Sequence, residues 1–324
     1  MPKFSIIIPC YNASEHINKC MESLENQTYK DFEIIIIDDK STDNSYKELN
    51  TYIKKSKLLI KLLSNEQNSG AGETRNKGIQ TATGKYITFL DIDDYIEPNT
   101  FEELNNIIEN NDIDCIIFDY YYKLKKTNLL QKSLLKGENG FVNKSDALIY
   151  TKGSTWGKVY LLDTIKLNNI KFPNLNVNED MVFNKTALSK CNKIFYLEKP
   201  LYHYILNENS LINQNLELAE RNAKIGFGLV EKELKKEFPK EVEAIFVREY
   251  LYSGIIDLLN RKEKNKQIIE FIENSEKVYP EIYENEACKY LTKYQKIVIY
   301  FAKKRFLLGL KLLISIKKII QKIR

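Results

Sequence analysis

The stretch Gly84-Lys-Tyr-Ile-Thr-Phe-Leu-Asp-Ile-Asp-Asp-Tyr-Ile-Glu-Pro98 decides the fold. Its apolar run, Tyr86 to Leu90, has the length and composition of a buried strand, and it stops abruptly at Asp91, Asp93 and Asp94. Pro98 falls where the first turn of a following helix accepts it. In open parallel sheets, ligands sit outside the carboxyl ends of the strands. Carboxylates crowded at such an edge repel one another unless a cation lies between them. Hard oxygen ligands suit Mg²⁺ or Mn²⁺, ions that bridge protein carboxylates to a diphosphate. An Asp-rich surface turn is the plain alternative for this tetrad alone, and the neighbouring segments decide between the two.

Upstream, Phe4 to Pro9 is a short β-branched run stopped by proline, followed by the loop Cys10-Tyr11-Asn12. Ser14 is a candidate N-cap for a helix with Ile17, Cys20, Met21 and Leu24 at helical spacing. Phe32 to Ile37 is a second buried strand, and it too ends in acids, Asp38 and Asp39. Ser41 and Thr42 offer caps for the next helix, so those two acids are free for another role. A third strand over Leu58 to Leu63, a polar loop to Gly72 and a helix over Glu73 to Thr83 complete a β-α-β-α-β-α-β alternation. That order predicts an α/β protein, a parallel sheet with helices on both faces, with two acid-tipped strands on one edge.

Composition narrows the class. The chain has 324 residues, 43% of them hydrophobic, enough for a large globular domain and a smaller one. Five scattered cysteines make no CxxC pair, which reads as a reduced, cytoplasmic chain without a zinc site. Two histidines exclude a multi-histidine metal centre. The net charge of +5 hides an asymmetry: residues 289–324 hold 11 Lys or Arg and no acid, leaving 38 basic against 44 acidic residues elsewhere. An acidic body excludes the nucleic-acid binders, whose basic patch lies on the main domain. No signal peptide precedes Phe4, and no apolar run approaches the roughly 20 residues needed to span a bilayer.

Four segments now stand in register: Ser5 to Asn12, Ser23 to Asp43, Asn68 to Gly78 and Gly84 to Asp94. Together they resemble the family 2 glycosyltransferases of GT-A fold, densely over residues 3–100 and again over 154–210. The resemblance implies a mainly parallel sheet flanked by helices in residues 1–212, with a helical C-terminal region from 213 to 324. It implies a base pocket lined by Pro9, Tyr11 and Asn12, with Asp39, and Asp38 beside it, receiving a hydrogen bond from the base. Gly70 would let the chain pass close to the nucleotide, and Arg75 would reach the nucleotide or its phosphates. Asp91, Asp93 and Asp94 would form the DxD element: Asp91 on the donor, Asp93 and Asp94 on Mn²⁺ or Mg²⁺. Ser14 and Glu73-Thr74 depart from the family's usual residues.

Later segments carry further expectations. Ile113 to Tyr122 reads as a strand, and residues 123–142, polar and Lys-rich, as a flexible excursion. Ser154 to Tyr160 resembles the family's Trp-Asn-Lys-Leu-Tyr segment. It makes Trp156 either a core residue or a sugar platform, and Lys158 a phosphate contact. Asn176 to Phe183 resembles the Glu-Asp pair beside the acceptor, with Asp180 as general base and Glu179 positioning it; a helix N-terminus favours the ionised form. Pro200 to Ser210 resembles a segment closing over the diphosphate, although Ile205, Leu206 and Asn207 stand where relatives carry Arg. His203 is a further candidate metal or phosphate contact, set against a structural role.

The last stretch, 289–324, places Lys304, Lys311, Lys318 and Lys322 on one helical stripe among Phe, Leu and Ile. This suits an anionic membrane surface, the alternative being a packing or homodimer face. The expectation is a metal-dependent, inverting glycosyltransferase, peripheral on the inner face of the plasma membrane. It would carry a sugar from a UDP-sugar to a saccharide or lipid-linked acceptor of cell-surface polysaccharide. A sugar nucleotidyltransferase should show glycines between Pro9 and Ser14, and none is there. A non-catalytic partner of the same fold should have lost an acid at 91–94 or 180, and all are present.

Overall fold

The computed structural model describes residues 1–124, 127–134, 137–206, 216–280, 282–283 and 286–323. These divide into two compact units, Met1–Asn222 and Ala223–Arg324.

The first unit is built on β1 (Phe4–Cys10), β2 (Phe32–Asp38), β3 (Leu59–Ser64) and β4 (Tyr86–Phe89), mutually parallel and joined through α1 (Ile17–Glu25), α2 (Ser45–Ile53) and α3 (Gly70–Thr81). Ile6, Ile7 and Ile8 pair in register with Ile34, Ile35 and Ile36. Both strands are covered on both faces, so an unbroken isoleucine run is stable there and alternation is not required. The same register sets Cys10 beside Asp38 and Asp38 beside Ser64, which aligns the carboxyl ends on one edge.

Beyond β4 the sheet is mixed. β5 (Tyr95–Ile96) and α4 (Thr100–Asn110) lead into β6 (Cys115–Leu124), β7 (Thr127–Gln131), β8 (Gly140–Val142), α5 (Lys144–Tyr150), β9 (Lys158–Leu161), α6 (Leu162–Leu167), α7 (Glu179–Lys190) and β10 (Ile194–Ile205). The order is β3-β2-β1-β4-β9-β6-β10-β5, with β9 antiparallel to both of its neighbours. β7 and β8 lie where the sequence predicted an excursion, paired with β6 and β10. Pro98 precedes the Asn99 cap of α4 instead of entering its first turn, and Ser14 is not the cap of α1, a position held by His16. One face of the sheet buries Phe4, Phe32 and Phe101, with centroids 5.1 and 5.2 Å apart; the other stacks Phe172 on Phe183 at 4.0 Å against Phe89.

The second unit is helical: the latter part of α8 (Leu216–Leu234), α9 (Pro239–Ile245), a π-helical turn over Phe246–Tyr252, α10 (Ser253–Asn260), α11 (Asn265–Val278), α12 (Lys293–Lys303) and α13 (Leu307–Ile323). Its core gathers Phe227, Phe246, Tyr250, Phe271 and Tyr279. Arg305 grips Glu276 through both terminal nitrogens, at 2.9 and 2.5 Å. Among the described residues no helix is long and apolar enough to cross a membrane.

Candidate active site

At the carboxyl edge of the parallel strands lies a cleft of about 660 Å³. Three strand ends supply its wall. After β1 come Pro9, Tyr11 and Asn12; after β2, Asp39; after β4, Asp91 and Asp93. The N-terminus of α3 adds Gly70, Thr74 and Arg75. Eight residues expected from the sequence therefore line one hollow. The loops that follow β1 and β2 are tied together, because the Asn12 Oδ1 accepts from the Thr42 amide at 2.7 Å while the Ser41 hydroxyl accepts from the Asn12 amide at 3.0 Å. Asn12 takes a left-handed backbone there, φ 47°.

Asp39 is buried and works as a remote helix cap. Its two oxygens accept from the Ser69 amide, the Gly70 amide and the Asn65 side chain, each at 2.8 Å. A carboxylate has about four acceptor positions, so one remains for a group in the cleft. Gly70 holds φ +83°, a conformation costly for any side chain, and that turn aims the first amides of α3 at Asp39. At Gly72 a β-carbon would lie 3.2 Å from the Glu179 Cγ, the Phe172 Cβ and the Pro173 oxygen, so this glycine lets α3 approach the segment leading to α7.

Arg75 joins the two ends of the site. Its guanidinium is buried and donates to Asp91 at 2.8 Å and to Glu179 at 3.3 Å. Asp180, next to Glu179 at the start of α7, accepts from the Met181 amide at 2.8 Å. Its carboxyl is pushed up to about 7, by burial first and by the Glu179 charge second; the Arg75 charge and the Met181 amide oppose the shift without cancelling it. A carboxylate titrating near neutrality is matched to proton abstraction at physiological pH.

The cleft acids suit a divalent cation. Burial, then the charge of Asp91, raises the Asp93 carboxyl above the ordinary range, and positive charge between the two would relieve both. Among the described residues no three His, Cys, Asp or Glu form a complete cage. An ion there would take further ligands from a diphosphate and water, as Mg²⁺ commonly does.

Seven expected residues do not line the cleft: Glu179 and Asp180, which adjoin it through the Arg75 contact to Glu179, and five others that are engaged elsewhere. Asp38 faces the β2–β3 edge, accepting from the Ser41 amide at 3.2 Å and lying near the Ser64 hydroxyl. Asp94 is buried against β10, taking a hydrogen bond from the Tyr202 hydroxyl at 2.6 Å and from the Ile205 amide at 2.7 Å. Trp156 packs in the core, stacked on Tyr202 at 4.8 Å and Tyr204 at 5.2 Å. The Lys158 side chain points inward from β9, where its ammonium donates to the Ser154 carbonyl at 2.6 Å. His203 is buried, bound through Nε2 to Glu97 at 2.6 Å. The segment expected to close over the diphosphate, Pro200 to Ser210, lies outside the described residues from 207 onward.

His16, Thr74 and Asn176 line the cleft without having been foreseen. For His16 the available signal is its place one loop beyond the first strand. Thr74 and Asn176 differ in nothing visible from ordinary polar residues of a helix and a loop.

The architecture is that of the GT-A nucleotide-diphospho-sugar transferases. Staphylococcus aureus TarS 1-349 in complex with UDP-GlcNAc superposes with a TM-score of 0.74 at 22% identity, over 96% of this chain and 90% of that one. A mannosyltransferase from Pyrobaculum calidifontis, in complex with GDP-Man and Mn²⁺, gives 0.56 at 13% identity, over 76% and 70%. The family model described as glycosyl transferase family 2 matches residues 5–165. Glycosyltransferase EpsH of Bacillus subtilis is 31% identical over 270 residues, covering 78% of this chain and 76% of its own. The chain belongs to glycosyltransferase family 2. Glycosyltransferase YibD of Escherichia coli K12 is 35% identical over 64% of this chain, and the poly(ribitol-phosphate) beta-glucosyltransferase of Bacillus spizizenii 36% over the same share. The chain spans 63% of the first of these two and a third of the second.

Proposed function

We propose that this chain transfers a sugar, with inversion, from a nucleotide sugar, by preference a UDP-sugar, to a saccharide or lipid-linked acceptor of bacterial cell-surface polysaccharide. The observation that carries the reading is the Arg75 bridge, which couples the acid tip of β4 to the carboxyl pair at the start of α7. A donor-holding edge and a proton-accepting carboxylate are thereby parts of one construction.

In this reading the base lies between Tyr11 and Asp39, and the diphosphate runs past the α3 N-terminus, whose amides favour negative charge. Asp91 and Asp93 would hold Mg²⁺ or Mn²⁺. When bound, that cation supplies charge to stabilise the departing diphosphate. Asp180 takes the proton of the acceptor hydroxyl as its oxygen bonds to the anomeric carbon. The carbon–oxygen bond to the diphosphate breaks, and its electron pair leaves with the nucleotide. Asp94, bound at both oxygens, positions the acidic loop and leaves coordination to its neighbours.

The working position we propose is peripheral, on the inner face of the plasma membrane. Leu308, Leu312 and Ile316 form a stripe on α13 that is 75%, 61% and 45% exposed, with Lys311 on the same helix; Lys304 instead caps α12, so the expected lysine stripe is broken there. Apolar residues left open at i, i+4 and i+8 among lysines suit an anionic lipid surface.

The test is release of nucleoside diphosphate from a panel of UDP-, GDP- and dTDP-sugars with Mn²⁺, comparing wild type with Asp93→Ala. Metal-dependent release from one donor, lost in the variant, is the expected result. Neither release nor metal-dependent nucleotide binding in a calorimeter, for any donor, would overturn the reading.

A further inference from the structure

Beside the acidic loop, outside the donor cleft, three strands lay their aromatic residues in one row. β5 and β6 flank β10 so that His203 pairs with Tyr95 on one side and with Tyr121 on the other. The Tyr95 ring stacks on the His203 imidazole at 4.2 Å and 9°, and the Tyr121 ring follows at 4.9 Å and 31°. Two cations stand over one end of this row: the Lys19 ammonium is 3.7 Å from the Tyr95 centroid and the Lys123 ammonium 5.9 Å. The first comes from α1 and the second from the end of β6, so nothing local in the chain forces them together.

Two ammonium groups this close repel each other. The Lys19 ammonium is held below the ordinary lysine range, by desolvation first and by Lys123 second, while Asp94 acts in the opposite sense. Neither lysine forms an ion pair among the described residues. The nearby acids are otherwise engaged: Asp94 is bound by Tyr202 and Ile205, and Glu97 by His203. Among the described residues such a pair, with an aromatic ring beneath, has no counter-ion. A phosphate group, with several charged oxygens, can meet two separate lysine point charges at once.

The row adjoins the transfer site without belonging to its donor half. His16, one turn before Lys19 on the same chain segment, lines the donor cleft, and Tyr95 directly follows Asp94. Lys19, Tyr95, Lys123 and His203 do not line the cleft. We propose that Lys19 and Lys123, over the Tyr95–His203–Tyr121 row, form an acceptor subsite that binds a phosphate group carried by a saccharide or polyol acceptor. The assignment to the acceptor rests on the transferase reading above; the phosphate site itself does not.

The experiment uses the full chain with its lysines ¹³C-dimethylated, a change that keeps the charge. The Lys19 and Lys123 signals are assigned by their loss in Lys19→Gln and Lys123→Gln. Without divalent metal, both signals should move saturably with inorganic phosphate and with glycerol 1-phosphate, stay still with glycerol, and move more than those of other surface lysines. Removing either lysine should weaken the response of the other about fivefold, as loss of one of two charge-assisted contacts implies. Binding of UDP with Mn²⁺, measured by calorimetry, should be unchanged in both variants. Absence of saturable movement, or movement no larger than that of other lysines, would overturn the site. Loss of UDP–Mn²⁺ affinity in Lys19→Gln would overturn the acceptor assignment, because the pair would then serve the donor's diphosphate. Failure of the wild type to bind any of UDP, GDP or dTDP with Mn²⁺, together with no release from any donor, would overturn the functional reading and with it the word acceptor, while the lysine signals still report on phosphate.

Discussion

A carboxylate in the first turn of a helix gains from the unpaired amides, and on that ground alone Asp180 should ionise easily. Burial and the adjacent Glu179 outweigh the helix end and bring its carboxyl up to about 7. A base must be unprotonated to act, so turnover should rise with pH through about 7 and level off above it. Asp180→Asn should lower kcat by about a thousandfold, in the range of general-base catalysis, and abolish that limb of the profile. Because the Arg75 charge lowers the Asp180 carboxyl, Arg75→Gln should move the limb to higher pH. It should also cost about 3 kcal/mol of stability, since Asp91 and Glu179 lose their shared partner. Thermal unfolding and the pH profile of nucleotide release check both effects; a destabilised Arg75→Gln enzyme with an unmoved limb would leave Arg75 a merely structural role.

At the scale of elements, the site depends on where α3 begins. The helix starts on Gly70 in a left-handed turn, and its first amides meet Asp39 across the sheet edge. Gly70→Ala should cost about 1–2 kcal/mol, the strain of a side chain in that region, and weaken UDP–Mn²⁺ binding. Gln80→Ala, on the exposed side of the same helix, should do neither. Calorimetry on the two variants decides. The Asn68 to Gly78 segment was legible as a motif, whereas its contact with Asp39 was not: 30 residues separate Asp39 from Ser69, and only the register of β2 brings them together. Trp156 and Lys158 show the converse. Their segment was recognised, yet β9 enters the sheet antiparallel and turns both inward, so that Trp156 fills the core and Lys158 holds a loop carbonyl.

For the whole molecule, the membrane reading makes the tail a docking device with a measurable charge dependence. The full chain should co-sediment with vesicles containing about 30% anionic lipid, less at high salt and hardly at all with neutral vesicles. Leu308→Asp with Leu312→Asp should reduce that binding about tenfold. A wild-type chain that ignores the vesicles but dimerises through this face, the dimer being lost in the double variant, would overturn the reading.

The sequence by itself determined the class of fold and the edge that carries the site. A run of isoleucines suits a strand covered on both faces, as in a parallel sheet, and acids at the carboxyl ends of two parallel strands share one edge. It also determined the basic character of residues 289–324, since charge needs no fold to be counted. Tertiary structure alone decided which of the crowded carboxylates face the cleft. Asp93 and Asp94 are adjacent in the chain, yet one lines the hollow while the other is taken up by Tyr202 and Ile205 of β10, more than a hundred residues away. It likewise decided that Arg75 bridges Asp91 to Glu179, that Lys19 meets Lys123, and that Glu33 can sit buried in an apolar strand because Lys61, Ser5 and Thr83 surround it. Local propensity cannot report such pairings, because their energy comes from partners that only strand order and register bring within reach.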